Sequence, residues 1–150
     1  MKIDYNDRQV EAYALVMKKE YALEILKGSK TVEFRTTSKK YDGMFLDKTI
    51  LKSNEALRKQ GRDDECESPF RTDIEAIHFY PYNNSWYLDV AIDEIGIVEI
   101  SEEGAKFLAE EFDCHEFDDE WQQFADLPED EIPLVYYIHI CEVISHQGLD

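Results

Sequence analysis

The sequence lacks a long hydrophobic segment, and it contains few of the residues that cross-link or interrupt a chain. Its 150 residues include only three cysteines, six glycines and four prolines. No apolar run approaches the roughly 20 residues that a membrane-spanning helix needs. The segment 1–13 also lacks the apolar core of a secretory signal. We therefore expect no membrane association and no secretion.

The three cysteines, Cys66, Cys114 and Cys141, are an odd number and lie far apart in the sequence. This pattern indicates free thiols and a cytoplasmic location rather than a disulfide framework. We expect no metal, because the pairs Cys114 with His115 and His139 with Cys141 do not have the spacing of known zinc sites. We also expect no cofactor, since neither a phosphate-binding loop nor a dinucleotide-binding fingerprint is present.

Positive charge is almost absent from the second half of the chain. The net charge is −18, yet residues 1–71 hold 15 of the 16 Lys and Arg against 13 of the 34 acids. Residues 72–150 hold only Lys106 against 21 acids. If the protein binds an RNA or a nucleotide-like small molecule, it does so through the basic N-terminal half, because phosphates need a positive field. The acids concentrated in residues 110–131 serve solubility or bind a protein partner with a basic surface.

A hydrophobic content of 43% and an aromatic content of 13% indicate a single folded domain over residues 1–150. Segments that favour strands and helices follow one another without strict βαβ alternation. This pattern predicts an α+β fold, a mixed and mostly antiparallel β-barrel with inserted helices. The predicted helices cover about residues 20–27, 53–60, 102–112 and 117–125. The predicted strands cover about residues 12–18, 30–37, 44–51, 73–80, 86–100 and 133–145, with a bulge or bend at Gly96. Residues 1–11 are predicted as a loose lead-in or an extra helical turn, and residues 36–43 and 62–71 as loops.

One stretch, residues 12–37, carries the densest group of charged residues with a definite predicted geometry. A short helix ends at Gly28, and a strand with period-two alternation follows it. Alternation predicts that Glu33 and Arg35 share one strand face. Lys30 joins them only if the glycine turn swings it round.

Residues 20–35 read Glu-Tyr-Ala-Leu-Glu-Ile-Leu-Lys-Gly-Ser-Lys-Thr-Val-Glu-Phe-Arg. A helix of this kind followed by Gly-x-Lys-Thr-x-Glu-x-Arg resembles the ASCH domain family, part of the PUA-like superfamily of small β-barrels. The resemblance implies a PUA-like barrel with a ligand cleft at the turn of residues 28–30, and it implies RNA binding. Some members are amidohydrolases on acetylated cytidine; they resemble this chain at Lys30, but they carry a threonine nucleophile where this chain has Glu33.

Three functions stay open for this chain, the first two at this stretch and the third in the acidic second half. In a binding protein, Lys30 would hold a phosphate or a carbonyl group, Glu33 would accept from a base amine, and Arg35 would pair with phosphate or orient Glu33. In a small hydrolase acting on a modified nucleoside or RNA, Lys30 and Glu33 would be the catalytic pair. The third is an acidic protein-interaction module. A purely structural interpretation is an ion pair of Glu33 with Arg35 beside a solvated Lys30. The predicted ligand-binding residues are Lys18, Lys30, Glu33, Arg35, Lys39, Lys40 and Tyr41.

Overall fold

The computed structural model describes all 150 residues, which form six β-strands and four α-helices. The strands are β1 (Lys2–Tyr5), β2 (Arg8–Val16), β3 (Val32–Thr36), β4 (Ala76–Tyr80), β5 (Tyr87–Glu99) and β6 (Leu134–Gln147). The helices are α1 (Lys19–Lys27), α2 (Lys39–Phe45), α3 (Lys48–Lys59) and α4 (Glu102–Phe112). None of the four helices has the length and the apolar content that a membrane span requires.

The strands form one sheet in the order β1-β2-β4-β5-β6-β3. Only β2 and β4 are parallel, and every other pair is antiparallel. The predicted α+β class and the mixed, mostly antiparallel sheet are therefore confirmed. The sheet is not closed into a barrel, because β3 pairs only with β6 and has no ladder to β2. A side-chain contact from Arg35 to the Val16 carbonyl group spans that gap instead.

The longest strand pair, β5 with β6, is irregular, but not at Gly96, where the sequence predicts a bulge or bend. The register shifts lie between Asp89 and Glu94, whereas Gly96 pairs regularly with Tyr137. The prediction of a bulge at Gly96 is therefore wrong. A Cβ atom at this position would lie 2.4 Å from the Tyr137 hydroxyl, so the glycine makes room for the tyrosine side chain.

Residues 1–11 are ordered, contrary to the predicted loose lead-in. They form β1 and the start of β2, joined by a tight turn at Asn6 and Asp7. Both turn residues have positive φ, 50° and 62°, which Asn and Asp adopt more readily than most residues. Ile3 and Tyr5 pack on a small apolar cluster beneath the hairpin.

Two further predicted elements are wrong, both between β3 and β4. The predicted loop 36–43 and strand 44–51 are occupied by α2 and the start of α3. Ser38 caps α2, and the Asp47 carboxylate accepts the backbone N–H groups of Thr49 and Ile50 to begin α3. The predicted helix 53–60 therefore begins earlier, at Lys48. Farther along, the predicted helix 117–125 is only a short 3₁₀ turn at Glu120–Phe124.

The sheet has an apolar core on each face, and β3 lies where the two meet. On one face, Ala22 and Ile25 of α1 pack against residues of β2, β4, β5 and β6. On the other face, α4 packs on the ends of β3, β5 and β6, with Val32 in that cluster. Burial on both faces costs free energy for any polar side chain of β3 unless it is paired.

Candidate functional site

The turn after α1 brings Lys30 back toward β3. Gly28 adopts φ = 85°, a left-handed conformation that glycine tolerates without a steric cost. The backbone N–H groups of Ser29 and Lys30 both donate to the carbonyl oxygen of Glu24. This tight return places the Lys30 side chain over the first residues of β3.

The alternation of β3 separates its apolar side chains from its charged ones. Val32 and Phe34 belong to the apolar cluster beneath α4. Glu33 and Arg35 share the other face and contact each other. The predicted shared face for Glu33 and Arg35 is therefore confirmed.

Lys30, Glu33 and Arg35, here called the motif cluster, form one charge network. Lys30 Nζ lies 3.4 Å from Glu33 Oε1, and a terminal nitrogen of Arg35 donates to Glu33 Oε2 at 2.8 Å. Glu33 Oε1 also accepts the backbone N–H of Phe34 at 3.2 Å. Only 7% of Glu33 is exposed, so protein donors rather than water satisfy its carboxylate. The Glu33–Arg35 contact foreseen in the structural interpretation is present, but Lys30 is a third member and is not a solvated turn residue.

The guanidinium group of Arg35 donates hydrogen bonds to three other residues. One terminal nitrogen donates to the Tyr41 hydroxyl at 3.0 Å, and the other donates to the Val16 carbonyl oxygen at 3.0 Å as well as to Glu33. Burial alone would lower the pKa of Arg35, but the Glu33 charge and the hydrogen bonds outweigh it and raise the pKa above its ordinary value. Arg35 thus ties β3 to β2 and α2 and fixes the Glu33 carboxylate.

Lys30 has donor capacity left for a ligand. Its ammonium group donates to the Val32 carbonyl oxygen at 2.9 Å and contacts Glu33 at 3.4 Å. It also lies 5.7 and 5.9 Å from the ring centroids of Tyr21 and Phe34. Since an ammonium group carries three N–H donors, one remains after these two oxygen contacts.

A cleft of about 460 Å³ opens beside Lys30. One wall is α1, the turn that follows it and the start of β3, and the other is the loop that follows α4. Its lining residues are Tyr21, Glu24, Ser29, Lys30, Thr31, Val32, Asp113, Cys114, His115 and Glu116. The second wall was missed from the sequence, because no periodic pattern marks a loop that is remote in sequence from the motif.

The electrostatics of the cleft are more acidic than the motif alone suggests. Glu116 is exposed, but partial desolvation at the cleft wall raises the pKa of its carboxyl group, and the Lys30 ammonium offsets part of that rise. The side chain of His115 contacts Asp113 at 2.8 Å and Asp118 at 2.9 Å, and these two hydrogen bonds raise the pKa of the imidazole. The lining therefore offers carboxylate acceptors on both walls and one partly buried ammonium donor.

Of the predicted binding residues, only Lys30 lines this cleft, and Glu33 and Arg35 do not. Lys18 precedes α1, and Lys39 and Lys40 lie in the first turn of α2, with all three side chains exposed. Tyr41 is half-buried, stacks on Phe45 with centroids 5.6 Å apart and accepts the hydrogen bond from Arg35. Its hydroxyl group and one face of its ring are therefore already engaged within the protein.

The two pairs of cysteine and histidine considered as zinc ligands lie apart in the structure. Cys114 and His115 line the cleft, whereas His139 lies on β6 and contacts Asp93 at 2.7 Å. Cys141 is exposed on β6. No group of three or more His, Cys, Asp and Glu side chains is arranged to hold a metal ion.

The chain was compared with known proteins. No curated protein and no solved structure matches it. A family model described as ASCH domain matches residues 15–142, a range that contains the motif cluster and both walls of the cleft. The resemblance that the Gly-x-Lys-Thr-x-Glu-x-Arg motif indicated is confirmed, and the chain belongs to the ASCH domain family.

Proposed function

We propose that this protein binds an RNA or nucleotide-like ligand, with a base of the ligand seated in the cleft beside Lys30. The observation that carries the proposal is the motif cluster itself. Glu33, a nearly buried carboxylate, is clamped between Lys30 and Arg35, and Lys30 lines an open cleft. Membership of the ASCH domain family, which commonly binds RNA, supports the same assignment.

The lining of the cleft suits a base edge better than a phosphate group. Lys30 offers one free donor, which matches a base carbonyl oxygen or ring nitrogen. Glu24 and Glu116 offer acceptors, which match exocyclic amino groups. Acceptors of this charge repel phosphate, whereas a base edge presents donors and acceptors side by side.

Phosphates are assigned to the exposed lysines outside the cleft. Lys18, Lys39 and Lys40 are exposed and are not paired with an acid within 4.0 Å. Arg35, whose two terminal nitrogens are engaged, acts in this proposal as a positioning residue that holds Glu33.

Binding of single-stranded RNA and of nucleosides, measured at two salt concentrations, tests the proposal. Lys30→Gln should weaken binding by about tenfold or more, since a hydrogen bond from a charged group contributes ~1.5–3 kcal/mol. Lys27→Gln makes the same charge change on the exposed end of α1, outside the cleft, and should change binding less than about twofold. Failure of the wild-type protein to bind any of these ligands at low salt would refute the proposal.

A second candidate is a small hydrolase acting on a modified nucleoside or on RNA. The observation that favours it is the 3.4 Å contact of Lys30 with Glu33, with the Glu116 carboxyl group on the opposite wall as an acid of raised pKa. Glu33→Gln should abolish turnover while the circular dichroism spectrum stays unchanged. Full activity in that variant would exclude Glu33 as the base.

A further inference from the structure

A second concave surface lies at the far end of the sheet from the hairpin of β1 and β2. It is a groove of about 440 Å³ between the start of α4 and the 3₁₀ turns at Glu120–Phe124 and Glu129–Glu131. Its apolar lining comes from Ile100, Trp121, Phe124, Ala125 and Ile132, and its polar lining from Glu99, Ser101, Glu102, Glu103 and Glu129. We call this surface the glutamate groove.

The four glutamates of the groove have no partner within the protein. None lies within 4.0 Å of a lysine, arginine or histidine nitrogen. Lys106 is the only lysine or arginine after residue 71, and it does not line the groove. Four carboxylates of one sign around apolar side chains repel one another, so a cation from outside the protein is attracted there.

The two aromatic side chains that line the groove are half-buried rather than fully buried. Trp121 and Phe124 pack their inner surfaces against the apolar cluster beneath α4 and leave part of each ring accessible in the groove. An aromatic face attracts a lysine or arginine side chain, and it also contacts an aliphatic one. The groove therefore combines an apolar floor with a negative rim that no lysine, arginine or histidine side chain pairs.

We propose that the glutamate groove docks a cationic peptide segment, in which lysine or arginine side chains meet the glutamates and one apolar side chain rests against Trp121 and Phe124. The charge of the rim selects this occupant, since it excludes RNA and acidic peptides. The apolar floor distinguishes a peptide from a simple polycation. This surface is separate from the cleft beside Lys30, with which it shares no lining residue.

Calorimetry with a nine-residue lysine-rich peptide that carries one central leucine tests the inference. Trp121 emission provides a second readout, because the other tryptophan, Trp86, is buried. Binding of this peptide is expected, with weaker binding when its leucine is replaced by serine and none when its lysines are replaced by glutamate. If the serine peptide and spermine bind with the same affinity as the leucine peptide, attraction is by charge alone and the proposal is overturned. The absence of any binding of the leucine peptide would also overturn it.

A pair of double variants supplies the matched control. Glu99→Gln with Glu129→Gln removes two charges from the groove and should weaken peptide binding about five- to tenfold. Glu110→Gln with Glu111→Gln makes the same change in net charge on exposed residues of α4 that do not line the groove. That control should change binding less than twofold. An equal loss of affinity in both double variants would overturn the proposal.

Discussion

The carboxylate of the motif cluster is paired with cations, whereas the carboxylates of the glutamate groove are not. In the motif cluster, Glu33 is nearly buried and has a cation on each side. In the groove, four glutamates have no cation within 4.0 Å. The reason is solvent: a buried carboxylate without a partner costs several kcal/mol, whereas water stabilises an exposed one.

The difference also separates two kinds of function. A paired and buried network holds its side chains in one arrangement, which suits selection of a small ligand. An unpaired, exposed rim attracts a partner of opposite charge without fixing its exact position, which suits a peptide segment. Four substitutions, ordered from the largest expected effect to the smallest, test whether burial and pairing account for the difference.

Arg35→Met should produce the largest effect. It removes the cation nearest to the buried Glu33 and its contacts with Tyr41 and Val16, and loss of one partner of a buried pair costs ~3–5 kcal/mol. The free energy of unfolding is measured by urea denaturation. The control is Arg8→Met, which breaks an exposed pair with Glu75 at 2.7 Å, close to the 2.8 Å of Arg35 with Glu33, and should cost less than ~1 kcal/mol. Equal losses in the two variants would contradict the role assigned to burial.

Gly104→Ala should damage the groove and spare the cleft. A Cβ atom at Gly104 would lie 1.8 Å from the Glu99 carbonyl oxygen, so the start of α4 must move away from β5. Such overpacking costs ~1–3 kcal/mol in thermal or urea unfolding, and peptide binding should weaken while ligand binding beside Lys30 is retained. Gly43→Ala in α2 meets no atom within 4 Å and should be stabilising by up to ~1 kcal/mol. If Gly104→Ala is neutral, α4 is not held as closely as the structure indicates.

Tyr13→Phe measures what a buried polar group costs when it has no partner. The Tyr13 hydroxyl is buried without a hydrogen bond, and its removal should be neutral or stabilising by ~1 kcal/mol at pH 7. Burial also raises the pKa of Tyr13 from 10.0 to about 12. The folded state therefore binds this proton more tightly than the unfolded state does. The resulting contribution to the free energy of unfolding is fully present below pH 10 and is lost as the pH rises to about 12. Wild-type stability should fall over that range more steeply than that of the variant; identical slopes would contradict the assignment.

His115→Gln should give the smallest effect, because its charge is paired but exposed. Hydrogen bonds to Asp113 and Asp118 raise the pKa of His115 above 6.5. Its contribution to stability is therefore present below pH 6.5 and is lost as the pH rises through the higher pKa of the folded state. Thermal melts of wild type should show a slight loss of stability from pH 6 to pH 8 that the variant lacks. A large loss would mean that exposure is a poor guide to the strength of this pairing.

Much of the site was predictable because its residues are close in sequence. Gly28 as a helix stop and the alternation of Glu33 with Val32 and Phe34 are local effects of backbone geometry. The segment 36–51 was misassigned because lysines and a glycine resemble a loop, while two helix caps, at Ser38 and Asp47, in fact begin helices there. The β1–β2 hairpin was missed because its turn consists of Asn6 and Asp7 rather than glycine.

The sequence by itself determined the family motif, the shared face of Glu33 and Arg35, and the confinement of almost all positive charge to residues 1–71. Each depends on the order of residues along the chain, and the shared face depends also on the period of two in a strand. Only the tertiary structure decided that Lys30 turns back onto Glu33 and that residues 113–116 form the opposite wall of its cleft. It also decided that four glutamates surround Trp121 and Phe124 without a cation. These features join segments remote in the chain, and packing of α1 and α4 on opposite faces of one sheet, rather than local preference, brings them together.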